Sequence, residues 1–220
     1  MKRKALVIGA TGLIGKSVTQ QLLEQEQYES VTVLVRKPLK VSNEKLQQIL
    51  VDFDQLPSYE TNFKVDDLYI CLGTTIKKAK TKEMFEKVDY HYVVNAVKLA
   101  AICRVERVAI VSAIGADSSS TIFYNKVKGK MEDAVQQQVK IKSLYIIRPS
   151  LLLGDRDEFR FGEKAAEKLS FIFTPLLKGK LAKYRPVRGE DVAFTMIENV
   201  TKGEKGIHIV ESNNISQRKR

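Results

Sequence analysis

A doubly wound α/β domain built on a parallel sheet is predicted by three features of this 220-residue sequence. Short apolar runs alternate with helical patterns from start to end. The runs are continuously apolar instead of alternating with polar residues, as strands covered on both faces require. A glycine-rich turn joins the first run to the first helix, the place where such domains hold a ligand.

Each element can be justified in order. KALVIGA (4–10) reads as a short buried strand, and GLIGKSVTQQLLEQ (12–25) has helical spacing. VTVLVR (31–36) is a second strand, LQQILVDF (46–53) contains a short third, and DLYICLGT (67–74) is a fourth. One long amphipathic helix is expected over 82–103, a strand over 107–115 and a helix over 121–137. SLYIIRPSLLLG (143–154) is a strand running into a loop, followed at the end by a helix (191–200) and a strand (206–210). Residues 154–189 are irregular, charged and aromatic, with Pro175 and Pro186. They are too short for a second domain. They are expected to form a small C-terminal helical appendage on the substrate side of a single domain spanning 1–220.

The composition is that of a soluble globular chain, 44% hydrophobic and 29% charged. No apolar run approaches the length of a membrane span. The basic start and short apolar run lead straight into the glycine turn without a cleavage site, so no signal peptide is expected. Cys71 and Cys103 are too few for a disulfide framework or a metal cluster. No metal is therefore expected, and the expected location is the reducing cytoplasm. The net charge of +11 raises nucleic acid as a partner. The lysines are scattered and no nucleic-acid-binding motif accompanies them, so nucleic acid is not expected as the primary partner. A basic surface instead favours an anionic small ligand such as a phosphorylated cofactor. No extra apolar helix face stands out, which favours a monomer over a homodimer.

VIGATGLIGKSV carries Gly9, Gly12 and Gly15 between a strand and a helix, the context of a dinucleotide fingerprint. Gly9 allows the tight turn, Gly12 lets a pyrophosphate approach the backbone, and Gly15 lets the helix pack closely. The helix N-terminus presents N–H groups and a positive dipole end to phosphate. The second strand ends in VLVRKP, with Arg36 where an NAD-specific domain usually carries an acid, and Lys37 beside it. A guanidinium forms a charge-assisted fork with a 2′-phosphate. NADP(H) is therefore the expected cofactor, with NAD(H) less favoured.

In FYNKVKGK, Tyr124 and Lys128 are spaced i and i+4, on one helix face. An ammonium one turn from a phenol favours phenolate, and such a tyrosine can exchange a proton with a carbonyl or alcohol oxygen. Ser112, at a strand end, would hydrogen-bond the same oxygen. Lys126 and Lys130 lie off that face and are read as solvated.

Together, GATGLIG, Ser112 in IVSAIGADSSS and Tyr124-x-x-x-Lys128 resemble the short-chain dehydrogenase/reductase superfamily. The closer likeness is to its atypical branch, the Tat-interacting protein 30 kDa group and its bacterial relatives. It extends over VDFDQL, LYICLGTT, VDYHYVVNAVKLA, IIRPSLLLGDR and RPVRGEDVA, most of the chain. The resemblance implies a Rossmann fold, with Gly9, Thr11, Gly12, Leu13 and Ile14 at the pyrophosphate and Arg36 at the 2′-phosphate. Asp52 and Phe53 match the adenine contact. Cys71, Leu72 and Gly73 match the adenosine side, and Pro149, Leu151 and Leu152 the segment at the nicotinamide end. Ser112, Tyr124 and Lys128 become the catalytic residues, Lys128 also holding the nicotinamide ribose. The implied activity is an oxidoreductase reducing a small carbonyl or quinone-like substrate with Tyr124 as proton donor. The alternative in this branch is a non-catalytic NADPH sensor acting through protein partners. A sugar epimerase or dehydratase is weakened by the short region after Leu153.

One departure from the superfamily is Asp89, which stands where many reductases carry a proton-relaying asparagine. His91 and His208 lack any ligand cluster around them, and Cys103 reads as a helix-end packing residue. Phe159, Phe161, Phe171, Phe173 and Tyr184 are candidates for lining a substrate pocket.

Overall fold

The computed structural model describes residues 2–138, 140–153 and 179–218. Its strands are β1 (Arg3–Ile8), β2 (Tyr28–Val35), β3 (Leu46–Leu50), β4 (Asp67–Ile70), β5 (Arg107–Val111), β6 (Ser143–Arg148), β7 (Leu152–Leu153), β8 (Val187–Arg188) and β9 (Gly206–Glu211). Seven of them form one sheet in the order β3-β2-β1-β4-β5-β6-β9, and every pair is parallel. β7 and β8 form a separate short ladder. The chain winds outward from β1 to β3 and then returns to place β4 on the other side of β1. That reversal opens a crevice at the C-terminal ends of β1 and β4. The predicted Rossmann architecture is the one observed.

The helices are α1 (Leu13–Leu23), α2 (Ile76–Ala79), α3 (Lys82–Glu86), α4 (Tyr92–Ile102), α5 (Phe123–Gln136) and α6 (Gly189–Lys202). Side chains alternate across each strand, so both faces of the sheet are apolar. Leu6, Ile8, Leu68, Ile70, Val108 and Ile110 face α4 and α5 through Val93, Val97, Met131 and Val135. Ala5, Val7, Val31, Val33 and Ile147 face α1 and α6 through Val18, Leu22, Val192 and Met196.

Several boundaries differ from those expected. β2 begins at Tyr28, ahead of Val31, because the Tyr28 hydroxyl is held in a polar cluster at the strand's foot. β4 ends at Ile70, and residues 71–75 leave the ladder to run along the crevice. Phe53–Phe63 is a 3-10 segment containing Pro57 that buries Phe53, Leu56 and Phe63. Its apolar residues are too sparse to announce a helix. The long helix expected over 82–103 is α3 and α4 joined by a π-helical segment, Lys87–His91. Most of the expected appendage, with Phe159, Phe161, Phe171 and Phe173, lies outside the described residues. Of the remainder, Gly179–Tyr184 is a 3-10 turn, and Tyr184 is exposed.

Two packing features hold this frame. At the N-terminal foot of the sheet, the fully buried Asp67 carboxylate binds Arg3 Nη2 and Arg107 Nε, each at 2.5 Å. The Tyr28 hydroxyl donates to Asp67 at 2.7 Å and lies 2.9 Å from the Tyr69 hydroxyl. Burial, then the neighbouring carboxylate, pushes Tyr28 well above the ordinary tyrosine range. At the other end, α5 lies directly on the loop that follows β5. A Cβ on Gly129 would stand 2.1 Å from the Ser118 nitrogen.

Asp67→Leu leaves the Arg3 guanidinium without its carboxylate and Arg107 with Glu106 alone, and is expected to cost about 3–5 kcal/mol in urea unfolding. Helix propensity alone would make Gly129→Ala favourable by about 1 kcal/mol. The overlap with backbone at Ser118 reverses the sign, and a net loss of about 1–3 kcal/mol is expected. A raised thermal midpoint for Gly129→Ala would show that the loop yields instead.

Candidate cofactor and active site

The crevice contains two cavities that share walls. The larger, about 690 Å³, is lined by Gly9, Thr11 and Gly12, by Arg36, Asp52 and Phe53, and by Lys78. The smaller, about 360 Å³, carries Leu13, Ile14, Asp89, Ser112, Tyr124, Lys128 and Leu152. Thr11, Gly12, Cys71, Leu72, Gly73, Thr74 and Lys78 line both. Volumes of this size suit a small-molecule ligand.

The glycine turn is built as its spacing implied. Gly9 has φ +87°, and a Cβ there would meet the Cys71 carbonyl group at 2.6 Å. A Cβ on Gly15 would stand 2.1 Å from the Gly9 oxygen, so α1 is pressed onto the turn. Gly12 differs, because a Cβ there meets only the Gly9 oxygen, at 3.4 Å, and otherwise projects into open space. Gly12 caps α1 without a side-chain hydrogen bond, and the first turn of α1 carries no acidic residue. The N–H groups of that turn have no carboxylate of their own helix competing for them. This cradle fits a pyrophosphate.

At the far end of the larger cavity, Arg36 is exposed just past β2. The Asp52 carboxylate accepts from Asp54 N at 2.9 Å, capping the 3-10 segment. Phe53 is buried beside the Tyr92 ring, centroids 5.5 Å apart. Lys37, Pro149 and Leu151 are not brought to either cavity wall. Lys37 and Leu151 are exposed, and Pro149 is buried with its carbonyl accepting from Ile114 N at 3.0 Å. Cys71 lies between the cavities, its thiol pushed up by burial.

Tyr124, Lys128 and Glu132 follow one another at i, i+4 and i+8 on α5. The Tyr124 ring packs against Phe85 at 5.5 Å. Ser112, just past β5, donates its hydroxyl to the buried Glu132 carboxylate. Arg148 Nε reaches both Glu132 oxygens at 3.1 Å, and its Nη1 binds Glu211 at 2.9 Å. Hydrogen bonding to Glu132 holds the Arg148 guanidinium above its ordinary range. Lys128 is 3% exposed, with its Nζ 2.8 Å from Asp89 Oδ1. The other Asp89 oxygen accepts from Thr74 N at 2.8 Å. Burial opposes the Lys128 charge, but Asp89, Tyr124 and Glu132 outweigh it and raise its affinity for the proton. The π-helical turn gives Asp89 its inward direction, since one extra residue rotates the helix face presented to the crevice.

Lys126 and Lys130 are exposed, as their positions implied. His91 is exposed on the π-helical turn, and His208 stacks on Tyr145 with ring centroids 5.0 Å apart. Among the described residues no group of potential ligands could hold a metal. Glu132, Arg148, Thr74 and Lys78 are not singled out by the sequence. Glu132 can be found by extending the Tyr124–Lys128 series one more turn. The others sit in a loop, on the four-residue helix α2 or at a strand end, where no periodicity points.

Comparison with known proteins agrees with this geometry. A family model described as NAD(P)H-binding matches residues 9–169. HTATIP2 of Rattus norvegicus is 35% identical over 170 residues, covering 76% of this chain and 69% of the relative. The mitochondrial protein FMP52 of Meyerozyma guilliermondii is 32% identical over 223 residues, 97% of this chain and 94% of its own. The solved structure of MoeE5 in complex with UDP-glucose and NAD superposes with a TM-score of 0.72 at 14% identity. It covers 94% of this chain and 74% of that one, a likeness of fold. The cytoplasmic expectation is overturned, because the relatives aligned along nearly the whole chain are named mitochondrial. A low cysteine count excludes a disulfide framework but carries no address. Among the described residues no helix is long and apolar enough to cross a membrane. With the family model spanning the glycine turn, the crevice and α5, the chain belongs to the NAD(P)H-binding family and is a homologue of HTATIP2 and FMP52.

Proposed function

We propose that the protein is an NADP(H)-dependent oxidoreductase that reduces a small carbonyl or quinone-like substrate, with Tyr124 as proton donor. The observation that carries this reading is that Ser112, Tyr124 and Lys128 line one cavity, continuous through shared walls with the glycine turn. A nicotinamide cofactor, when bound, supplies the hydride. Gly12 and the first turn of α1 hold the pyrophosphate, and Arg36 holds the 2′-phosphate. Lys128 holds the nicotinamide ribose and keeps a positive charge near the Tyr124 phenol. The phenol passes its proton to the substrate oxygen. Ser112 has one hydroxyl proton, and that proton is directed at Glu132. Ser112 thus presents lone pairs to the cavity, and it donates to a substrate oxygen only after its hydroxyl rotates away from Glu132.

A second reading is a non-catalytic NADPH sensor acting through protein partners. It is favoured by the way the site's polar groups already satisfy one another, Lys128 with Asp89 and Ser112 with Glu132.

Arg36→Asp is expected to weaken NADPH at least about tenfold, roughly 1.4 kcal/mol, without weakening NADH. A retained preference for the phosphorylated cofactor in that variant rejects the assignment of Arg36. Turnover of aldehydes, ketones and quinones is followed by NADPH absorbance. Tyr124→Phe is expected to lower it by about 10²–10⁴-fold while NADPH still binds. NADPH binding by the unmodified protein with no turnover of any compound assigns the sensor reading.

A further inference from the structure

The two edges of the sheet differ. At β3, the Gln48 side chain accepts from Leu39 N at 2.7 Å and donates to the Leu39 and Val41 carbonyls at 3.3 Å. That ties the preceding segment to the strand. At the other edge, no strand among the described residues pairs with the outer side of β9. Ile207 and Ile209 are 50% and 42% exposed there. They stand beside Leu144 and Ile146 of β6, so they carry the apolar face that packs on α4 and α5 out to the edge. A bare edge with exposed isoleucines is a template for another strand.

The ladder shows which backbone groups of β9 point outward. Odd-numbered residues of β6 bond to β5, since Ser143 N donates to Glu106 O at 3.0 Å and Ile147 O accepts from Ser112 N at 2.7 Å. Even-numbered ones therefore face β9, and Lys142 O accepts from Gly206 N at 2.9 Å. Within β9 the even residues thus turn their backbone groups inward, while Ile207, Ile209 and Glu211 turn theirs out. An antiparallel partner must set outward residues opposite one another. A two-fold axis at His208 does so with the same strand of a second copy. Ile207 then meets Ile209 of that copy, and Lys205, exposed at the start of the strand, meets its Glu211. The stretch KGIHIVE is its own complement in this register. Cross-strand pairs of β-branched residues and of opposite charges both favour it. Moving the axis one residue either way sets an isoleucine opposite a charge instead. The Glu211 carboxylate is already fixed in place, with Oε1 2.9 Å from Arg148 Nη1.

We propose that β9 is a docking edge for a second copy of this chain, paired antiparallel about His208 so that the two sheets become one. The sequence offers no apolar helix face for a dimer, and the sheet edge takes that role. The crevice lies at β1 and β4, away from this edge, and stays open in both copies.

Sedimentation velocity tests the proposal, with an expected dimer dissociation constant of about 10 µM for so small an interface. Lys205→Glu sets like charges opposite each other, and Ile209→Lys puts a charge into the isoleucine pair. Each change counts twice in a two-fold interface and is expected to raise the dissociation constant at least about tenfold. Both residues are exposed, and circular dichroism checks that the fold is kept. Should Ile209→Lys fail to fold, Lys205→Glu, outside the strand, carries the test. A third variant reads the register. Residues opposite each other at such an axis have Cα atoms about 4.5 Å apart, within disulfide reach. His208→Cys treated with diamide is expected to run as a cross-linked dimer on a non-reducing gel, and Ile209→Cys and the unmodified protein as monomers. A monomer at loadings up to about 1 mM, a hundred times the expected constant, overturns the proposal. So does a dimer that neither Lys205→Glu nor Ile209→Lys weakens, because it forms through another surface. Cross-linking through Ile209→Cys and not His208→Cys overturns the pairing about His208.

Discussion

The carboxylate of Asp67 ties together the N-terminal ends of four adjacent strands. It gathers Arg3 from β1, Tyr28 from β2 and Arg107 from β5, while Tyr69 of β4 bonds to the Tyr28 hydroxyl. Each of these groups would be costly to bury alone, and the cluster supplies partners to all of them, with Val200 O and Glu106 adding one more each to Arg3 and Arg107. A one-residue slip of any strand would turn its member of the cluster to the opposite face. The cluster thus holds in register the strands whose opposite ends form the crevice. The polar anchor and the ligand site occupy the two ends of the same strands, so rigidity at one end supports precision at the other.

At the crevice the tolerances are set by backbone against backbone. Gly15 on Gly9 fixes α1 over the turn, and Gly129 presses α5 onto the backbone of Asp117 and Ser118. That second contact sets the distance between the loop after β5, which carries Ser112, and the helix that carries Tyr124 and Lys128. Side-chain pairs then complete the placement. Glu132 and Arg148 hold Ser112 from behind, and Asp89 holds Lys128 from the side. The chemistry of the site is a property of these pairs as much as of the three residues in contact with the cavity.

Likeness of fold carries less. MoeE5, solved with UDP-glucose and NAD, shares the frame at 14% identity, and this chain covers 74% of it. One Rossmann frame hosts many reactions, and the reaction follows from the side chains at the crevice. The homologues HTATIP2 and FMP52, at 35% and 32% identity, place the chain in its family.

The glycine turn, the alternation of strands and helices, and the shared face of Tyr124 and Lys128 are all readable in the sequence. They are local patterns, set by the strand and helix periods and by a missing Cβ at given spacings. The boundaries that differ are those where a local pattern yields to distant partners, as at the foot of β2 and in the π-helical break of the long helix. The cytoplasmic expectation fails for a different reason, because composition records redox chemistry and not a destination. Neither the pairing of Ser112 with Glu132 and Arg148 nor that of Lys128 with Asp89 can be read from spacing. Those residues lie on different elements, and only the packing of α5 against the sheet, the loop after β5 and the π-helical turn brings their charges within hydrogen-bonding distance.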